Sequence, residues 1–309
     1  MSKPIITVVG SFAVGLTIRT PHMPIFGETL RGSDFDMGPG GKGSNQAVGT
    51  ARLGAESYFV GLVGEDKLAD IGLDLYKAEG VNTSYLRRTA EKATGVGFII
   101  LNTQGENFII LDMAANTLMD AAFVDVAEEQ IARSKVVMSV LEIPVEAAAR
   151  AMELGKKHGV TTILNPAPAA ALPDSIFQHI DILTPNESEL RILMGLRPDD
   201  PTPTAELAAQ LKARGVKTLV VTQGSKGAML YDEGGVTAVP SIPVTVVDTT
   251  GAGDAFNSGL AVAVAMGKPL VEAVRYGCAA GAKACTTLGV IPSLGHREQI
   301  DNLYAQNYG

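Results

Sequence analysis

The run Val247-Asp248-Thr249-Thr250-Gly251-Ala252-Gly253-Asp254-Ala255-Phe256 has the makings of an anion-binding turn. Small residues at the start of a helix leave backbone N–H groups free and let an anion come close, and the helix dipole adds partial positive charge there. Asp254 falls in the first turn, beside that hole. A carboxylate so placed can take a proton from an attacking hydroxyl while the amides of Gly251, Ala252 and Gly253 hold a transferring phosphoryl group. The plainer alternative is an ordinary strand–loop–helix turn capped by Asp254. No G-x-x-x-x-G-K-[ST] string is present, which argues against a P-loop enzyme. No G-x-G-x-x-G follows the first apolar run, which argues against a dinucleotide oxidoreductase.

The elements that must position this turn follow from hydrophobic pattern. Ile5–Val9, Tyr58–Val63, Val136–Val140, Thr161–Leu164, Ile182–Leu183 and Thr218–Val221 are short β-branched runs of buried-strand type. Helical stretches lie between and after them at Ser44–Leu53, Ile71–Ala78, Val145–His158, Glu187–Leu193, Ala205–Arg214 and Ala252–Met266. This alternation predicts an α/β fold, doubly wound, with a mostly parallel sheet and helices on both faces. Right-handed crossovers then gather the loops after the strands along one edge. Two stretches break the pattern: Leu16–Thr20 with Glu28–Asp36, and Gly95–Leu101 with Asn107–Asp112 across a turn at Asn102-Thr103-Gln104-Gly105-Glu106. They read as a small β-strand lid, about 13–37 and 94–113, on a single domain spanning 1–309. The second pair is apolar in succession (Phe98 to Leu101, Phe108 to Leu111), so both its faces need cover. The substrate cleft would cover one and a second copy the other, which points to a homodimer through the lid.

The 309 residues are 46% hydrophobic and 19% charged, a globular composition, and the net charge of −8 with no basic run excludes nucleic acid as an expected partner. No apolar stretch reaches transmembrane length and no cleavable leader pattern is visible, so a cytoplasmic location and no membrane partner are expected. Cys278 and Cys285 stand seven apart in an Ala-rich helical segment, roughly 10 Å apart and too far for a disulfide. The four histidines lack zinc-ligand spacing.

Asp248-Thr249-Thr250-Gly251-Ala252-Gly253-Asp254 resembles the C-terminal signature of the ribokinase family of carbohydrate kinases. Gly40-Gly41-Lys42-Gly43-Ser44-Asn45-Gln46-Ala47 resembles its N-terminal signature. Asn165-Pro166-Ala167-Pro168, Thr184-Pro185-Asn186-Glu187-Ser188-Glu189 and Val221-Thr222-Gln223-Gly224-Ser225-Lys226-Gly227 follow in the family's order and spacing, over essentially the whole chain. The resemblance implies an ATP-dependent sugar kinase that moves the γ-phosphate to a primary hydroxyl of a pentose-like sugar. It implies Asp254 as base with Gly251, Ala252 and Gly253 around the phosphoryl group, and Gly41, Lys42, Asn45 and Glu142 holding the sugar. Asn186 and Glu189 would organise the ATP phosphates and Mg²⁺-bound water, with Thr222, Gly224, Gly227 and Gly253 on the nucleotide side. A K⁺ site is implied at Asp248 and Ser293, with backbone carbonyls near Thr250, Ala284, Thr287 and Gly289. The alternatives are a kinase of the same family acting on a nucleoside, hexose or other polyol, or a catalytically silent sugar-binding regulator.

The chain departs from this pattern at one place. The family's first strand is followed by Gly-Ser, an apolar residue, Asn, any residue and Asp, and the Asn and Asp grip sugar hydroxyls. Here the run is Gly10-Ser11-Phe12-Ala13-Val14-Gly15, with Ala13 and Gly15 in place of the two polar residues. D-Ribose is therefore expected to be a poor substrate, unless neighbours such as His22 or Asn116 supply the missing contacts.

Overall fold

The computed structural model describes residues 3–104 and 106–309; Met1, Ser2 and Gly105, the last inside the turn read at 102–106, lie outside the described residues. The strands are β1 (Ile5–Val9), β2 (Ala13–Thr20), β3 (Ser33–Gly40), β4 (Glu56–Gly64), β5 (Asn82–Thr89), β6 (Gly95–Asn102), β7 (Asn107–Asp112), β8 (Val136–Val140), β9 (Thr161–Asn165), β10 (Ile182–Leu183), β11 (Thr218–Thr222), β12 (Ala228–Asp232) and β13 (Gly235–Val239). Nine of them form one sheet in the order β13-β12-β11-β10-β9-β8-β1-β4-β5, parallel except at β12 and β13.

Period-two alternation divides the central strands between two cores. Ile6, Val8, Met138 and Ile163 pack on one face with Phe59, Tyr76, Phe256 and Leu260. Val9, Val137, Leu164 and Leu219 pack on the other with Met152, Leu154 and Phe177. Both faces are buried, so these strands read as unbroken apolar runs. The edge strand β5 (NTSYLRRT) and the hairpin β12–β13 were not legible that way: the former is polar and half-solvated, and the latter turns in two residues.

The second sheet has four strands in the order β3-β2-β6-β7. The two predicted pairs are joined by parallel pairing of β2 with β6. Two boundaries differ clearly from expectation, and the first is the start of β2, at Ala13 rather than Leu16. The partner of β2 is Ser33–Gly40, not Glu28–Asp36, because pairing of Ala13 with Gly40 carries β3 directly into Gly41. The lid region thus reaches residue 40 rather than 37. Among the described residues, no helix is long and apolar enough to cross a membrane.

The helix Lys42–Arg52 is pinned at its far end by Arg52. The guanidinium makes a two-pronged contact with Glu79, at 2.9 and 2.6 Å, and donates to the carbonyls of Ile291 and Leu294 at 2.6 and 2.7 Å. The Arg52 hydrogen bonds hold Glu79 below the usual glutamate range. Stability from this pair is therefore present above the unfolded-state pKa and lost as pH falls through the lower folded-state value. Arg52→Met is expected to cost about 2–3 kcal/mol, because it strands a half-buried carboxylate and two carbonyls. Chemical denaturation at neutral pH checks the size, and the gap from wild type should narrow in acid.

Candidate active site

Every polar residue of the site follows the carboxyl end of a strand or opens a helix. Ser11 follows β1, Glu142 follows β8, Asn165 ends β9 and Thr222 ends β11. The chain after β1 and the start of helix Lys42–Arg52 meet backbone to backbone. A Cβ on Gly43 would lie 2.5 Å from the Ser11 nitrogen, and one on Gly41 would lie 2.8 Å from the Ala13 nitrogen. Gly41 also caps the helix at φ 90°, where L side chains are strained. These glycines let Lys42 and Asn45 enter the cleft.

Asp254 lies in the first turn of helix Ala252–Ala265, behind Gly251 in the left-handed conformation at φ 81°. A Cβ at Gly251 would strike Val290, whereas the space in front of Gly253 is open. Asp254 is nearly buried, with both carboxylate oxygens held by amides. Asn45 Nδ2 donates to Oδ2 at 2.8 Å and Gln46 Nε2 donates to Oδ1 at 3.1 Å. Gln46 Nε2 also reaches Asn165 Oδ1 at 3.0 Å. The two helices approach closely enough for this because Gly49 faces Ser258: a Cβ there would lie 2.3 Å from Ser258 Oγ. Asn45 Oδ1 is buried with no partner among the described residues.

Glu142 Oε2 accepts from Ser11 Oγ at 2.6 Å and from the Lys42 amide at 2.7 Å. Burial raises its pKa, against the lowering effect of these bonds and of Lys42. Burial by itself would lower the Lys42 pKa, but Asp254, Glu142 and Glu189 together raise it. The ammonium is thus held charged among three carboxylates. Such a cation offsets negative charge that an arriving phosphate would otherwise meet.

The sequence profile of the pfkB family carbohydrate kinases matches residues 4–297. A ribokinase of Haemophilus influenzae is 36% identical, over 95% of this chain and 96% of its own. A deoxyribokinase of Salmonella typhi is 37% identical, over 81% of this chain and 82% of its own. The structure of an Arabidopsis thaliana ribokinase complexed with ribose and ATP superposes with a TM-score of 0.90 at 32% identity, covering 98% of this chain and 99% of that one. The chain is a carbohydrate kinase of the pfkB family. It is a phosphotransferase, and its fold is that of the ribokinases.

On the far side of the cleft, this kinase caps helix Glu187–Leu193 with a reciprocal pair. Asn186 Oδ1 accepts from the Glu189 amide and Glu189 Oε2 from the Asn186 amide, both at 2.8 Å. Burial raises the Glu189 pKa, against the lowering effect of that amide bond. Asn186 bridges to Thr222 on the neighbouring strand end. Beyond it, Gly224 adopts φ 56°, and Gly227 adopts φ 99°, where a Cβ would lie 2.0 Å from the Val239 carbonyl. Only glycine fits that turn.

The loop before helix Ala252–Ala265 meets the loop after helix Leu270–Ala284. Val247 N–H donates to the Cys285 carbonyl at 2.8 Å, and Gly289 N–H donates to Asp248 Oδ2 at 3.0 Å. Asp248 Oδ1 takes the Thr250 amide and hydroxyl, and Ser293 Oγ donates to the Val290 carbonyl at 2.7 Å. Although burial opposes it, these bonds hold the Asp248 carboxyl below the usual range. Asp248 and Ser293 offer oxygen donors only, the chemistry that a weakly charged hard cation takes.

The structure brings Lys42, Asn45, Glu142 and Asp254 together and sets Asn186 beside Thr222. Sequence reasoning gave no role to Gln46, Asn165 or Ser11. Gln46 stood inside a recognised motif, but nothing local to it shows that its amide meets a carboxylate 208 residues away. Asn116 cannot replace the polar groups absent at Ala13 and Gly15. It is fully buried, accepts from the Phe12 amide and donates to the Phe12 and Met113 carbonyls. His22 is exposed, beside Glu28 and the Met23 carbonyl.

Proposed function

We propose that this kinase transfers the γ-phosphate of ATP to a primary hydroxyl of a pentose-like sugar. Asp254 is the general base, and the Gly251, Ala252 and Gly253 amides form the anion hole. The observation that carries this reading is the placement of Asp254: a near-buried carboxylate, aimed by Asn45 and Gln46, at the amide-rich start of a helix. The sugar lies along Gly41, Lys42, Asn45 and Glu142, its primary hydroxyl facing Asp254. Proton loss to Asp254 sharpens the hydroxyl as nucleophile, while the helix amides and Lys42 take up charge on the phosphoryl oxygens. Positioning supplies most of the rate, since the protein makes no covalent bond of its own.

ATP lies along Asn186, Glu189, Thr222, Gly224 and Gly227. Among the described residues Glu189 commits only Oε2 to the cap, so Oε1 fits a water carried by Mg²⁺, which when bound would neutralise phosphate charge. The Asp248 and Ser293 loops, with carbonyls near Thr250, Ala284, Thr287 and Gly289, would hold K⁺ and order the anion hole. Turnover is expected to be several-fold higher in potassium than in sodium buffer; equal rates at matched ionic strength would count against the site.

Ile18, Met37, Phe98, Phe108 and Ile110 project from one face of the second sheet and are exposed. A second copy of the chain is the proposed cover for that face. An ATP-consumption screen over pentoses, deoxypentoses, hexoses, polyols and nucleosides tests the substrate class. The deoxyribokinase relative makes 2-deoxyribose a specific second candidate. ATP consumption with none of them would overturn the sugar-kinase reading.

A further inference from the structure

The register of the second sheet lines up two rows of minimal side chains. Gly40, Ala13 and Gly95 pair across β3, β2 and β6, and two residues further on Gly38, Gly15 and Gly97 do the same. Residues two apart on a strand share a face, so all six positions present one continuous strip. Crowding does not require glycine throughout. A Cβ at Gly38 would meet nothing within 4 Å, and one at Gly15 would meet only ordinary contacts at 3.7 Å. The strip is open at Gly38 and Gly15 but closed at Gly95, where a Cβ would lie 2.7 Å from Asn116 Nδ2, and none of its six side chains can hydrogen-bond.

Leu111 continues the second row, opposite Gly97 on β7. It also lines a cavity of about 280 Å³ together with Met113, Leu141, Ile143 and Pro168. Glu142 borders the same cavity, so this face of the sheet lies on the sugar side of the cleft. The one hydroxyl in the lining, that of Thr117, is committed to the Ala114 carbonyl at 2.7 Å. Apart from Glu142 at its border, the lining offers a sugar hydroxyl no free side-chain partner, whereas carbon would gain contact.

We propose that the substrate carries an apolar substituent at the end remote from its primary hydroxyl, seated on the Ala13/Gly15 strip and in the cavity behind Leu111. This rests on the sugar-kinase reading above and names the chemistry its pocket selects. Each fully buried methylene is worth about fourfold in binding, so a four-carbon or phenyl group buried over little more than half its length should raise kcat/KM about 30-fold or more over the unsubstituted sugar.

The test measures ADP release by the full chain with D-ribose, 2-deoxy-D-ribose, and methyl, butyl and phenyl β-D-ribofuranosides. These furanosides keep the primary hydroxyl and enlarge the opposite end. The expected result is a rise in kcat/KM from D-ribose through the methyl compound to the butyl and phenyl compounds. Leu111→Trp, at a half-exposed position, should fill the cavity and collapse the butyl-to-ribose ratio toward one. D-Ribose or 2-deoxy-D-ribose equal to or better than every furanoside overturns the inference alone. A folded Leu111→Trp protein that keeps the wild-type ratio also overturns it. No ADP from any compound overturns the sugar-kinase reading and this inference with it. The wild-type series needs no variant, so poor folding of Leu111→Trp leaves the comparison decisive.

Discussion

Asp254→Asn is expected to lower turnover by at least about 10²-fold while nucleotide affinity stays near wild type. The substitution preserves size but removes the proton acceptor. It also exchanges one carboxylate oxygen for an NH₂ group, which must then face the amide nitrogen of either Asn45 or Gln46. That donor–donor conflict costs about 1–3 kcal/mol locally, so the thermal midpoint should fall modestly and must be recorded beside the kinetics. A base acts in the transition state, so kcat should carry the loss and KM for ATP should move little. Near-normal turnover in a folded variant would sink the assignment of Asp254 as base.

Ala13→Asn combined with Gly15→Asp is expected to raise kcat/KM for D-ribose by about 10²-fold. Two hydrogen bonds to sugar hydroxyls, one from a charged acceptor, are together worth that factor or more. The backbone accepts the change. Gly15 lies in a β-strand with negative φ, and a Cβ there meets nothing closer than 3.7 Å. No neighbour already fills the role, because Asn116 spends its side chain on the Phe12 and Met113 backbone. Steady-state kinetics with D-ribose decide the matter. A wild-type enzyme that already handles ribose with a low KM, and a double variant no better, would refute it.

The parallel core was legible because its strands are buried on both faces and its helices are amphipathic, so β1, β8 and β10 matched their predicted limits. The edge strands were not. An edge is wetted on one side, and β5 therefore carries Asn82, Arg87 and Arg88 where a central strand would carry valine or isoleucine. The misplaced start of β3 has a similar origin. Residues 28–36 look extended, but the pairing of Gly40 with Ala13 sets the register, and that partner lies on another strand.

The sequence by itself determined the family, the glycine turn that opens helix Ala252–Ala265 and the absence of the two polar residues at Ala13 and Gly15. Those are matters of residue type over a few neighbouring positions, where backbone freedom and helix-end chemistry act locally. Only the tertiary structure decided how Asp254 is aimed, since Asn45 reaches it across 209 residues through a helix contact at Gly49 and Ser258. Only the structure aligned the six small residues into one strip and set Leu111, paired with Gly97 at its end, on the cavity beside Glu142. Strand register and helix packing are set by the burial of whole faces, and no short stretch of chain encodes which distant residue it will meet.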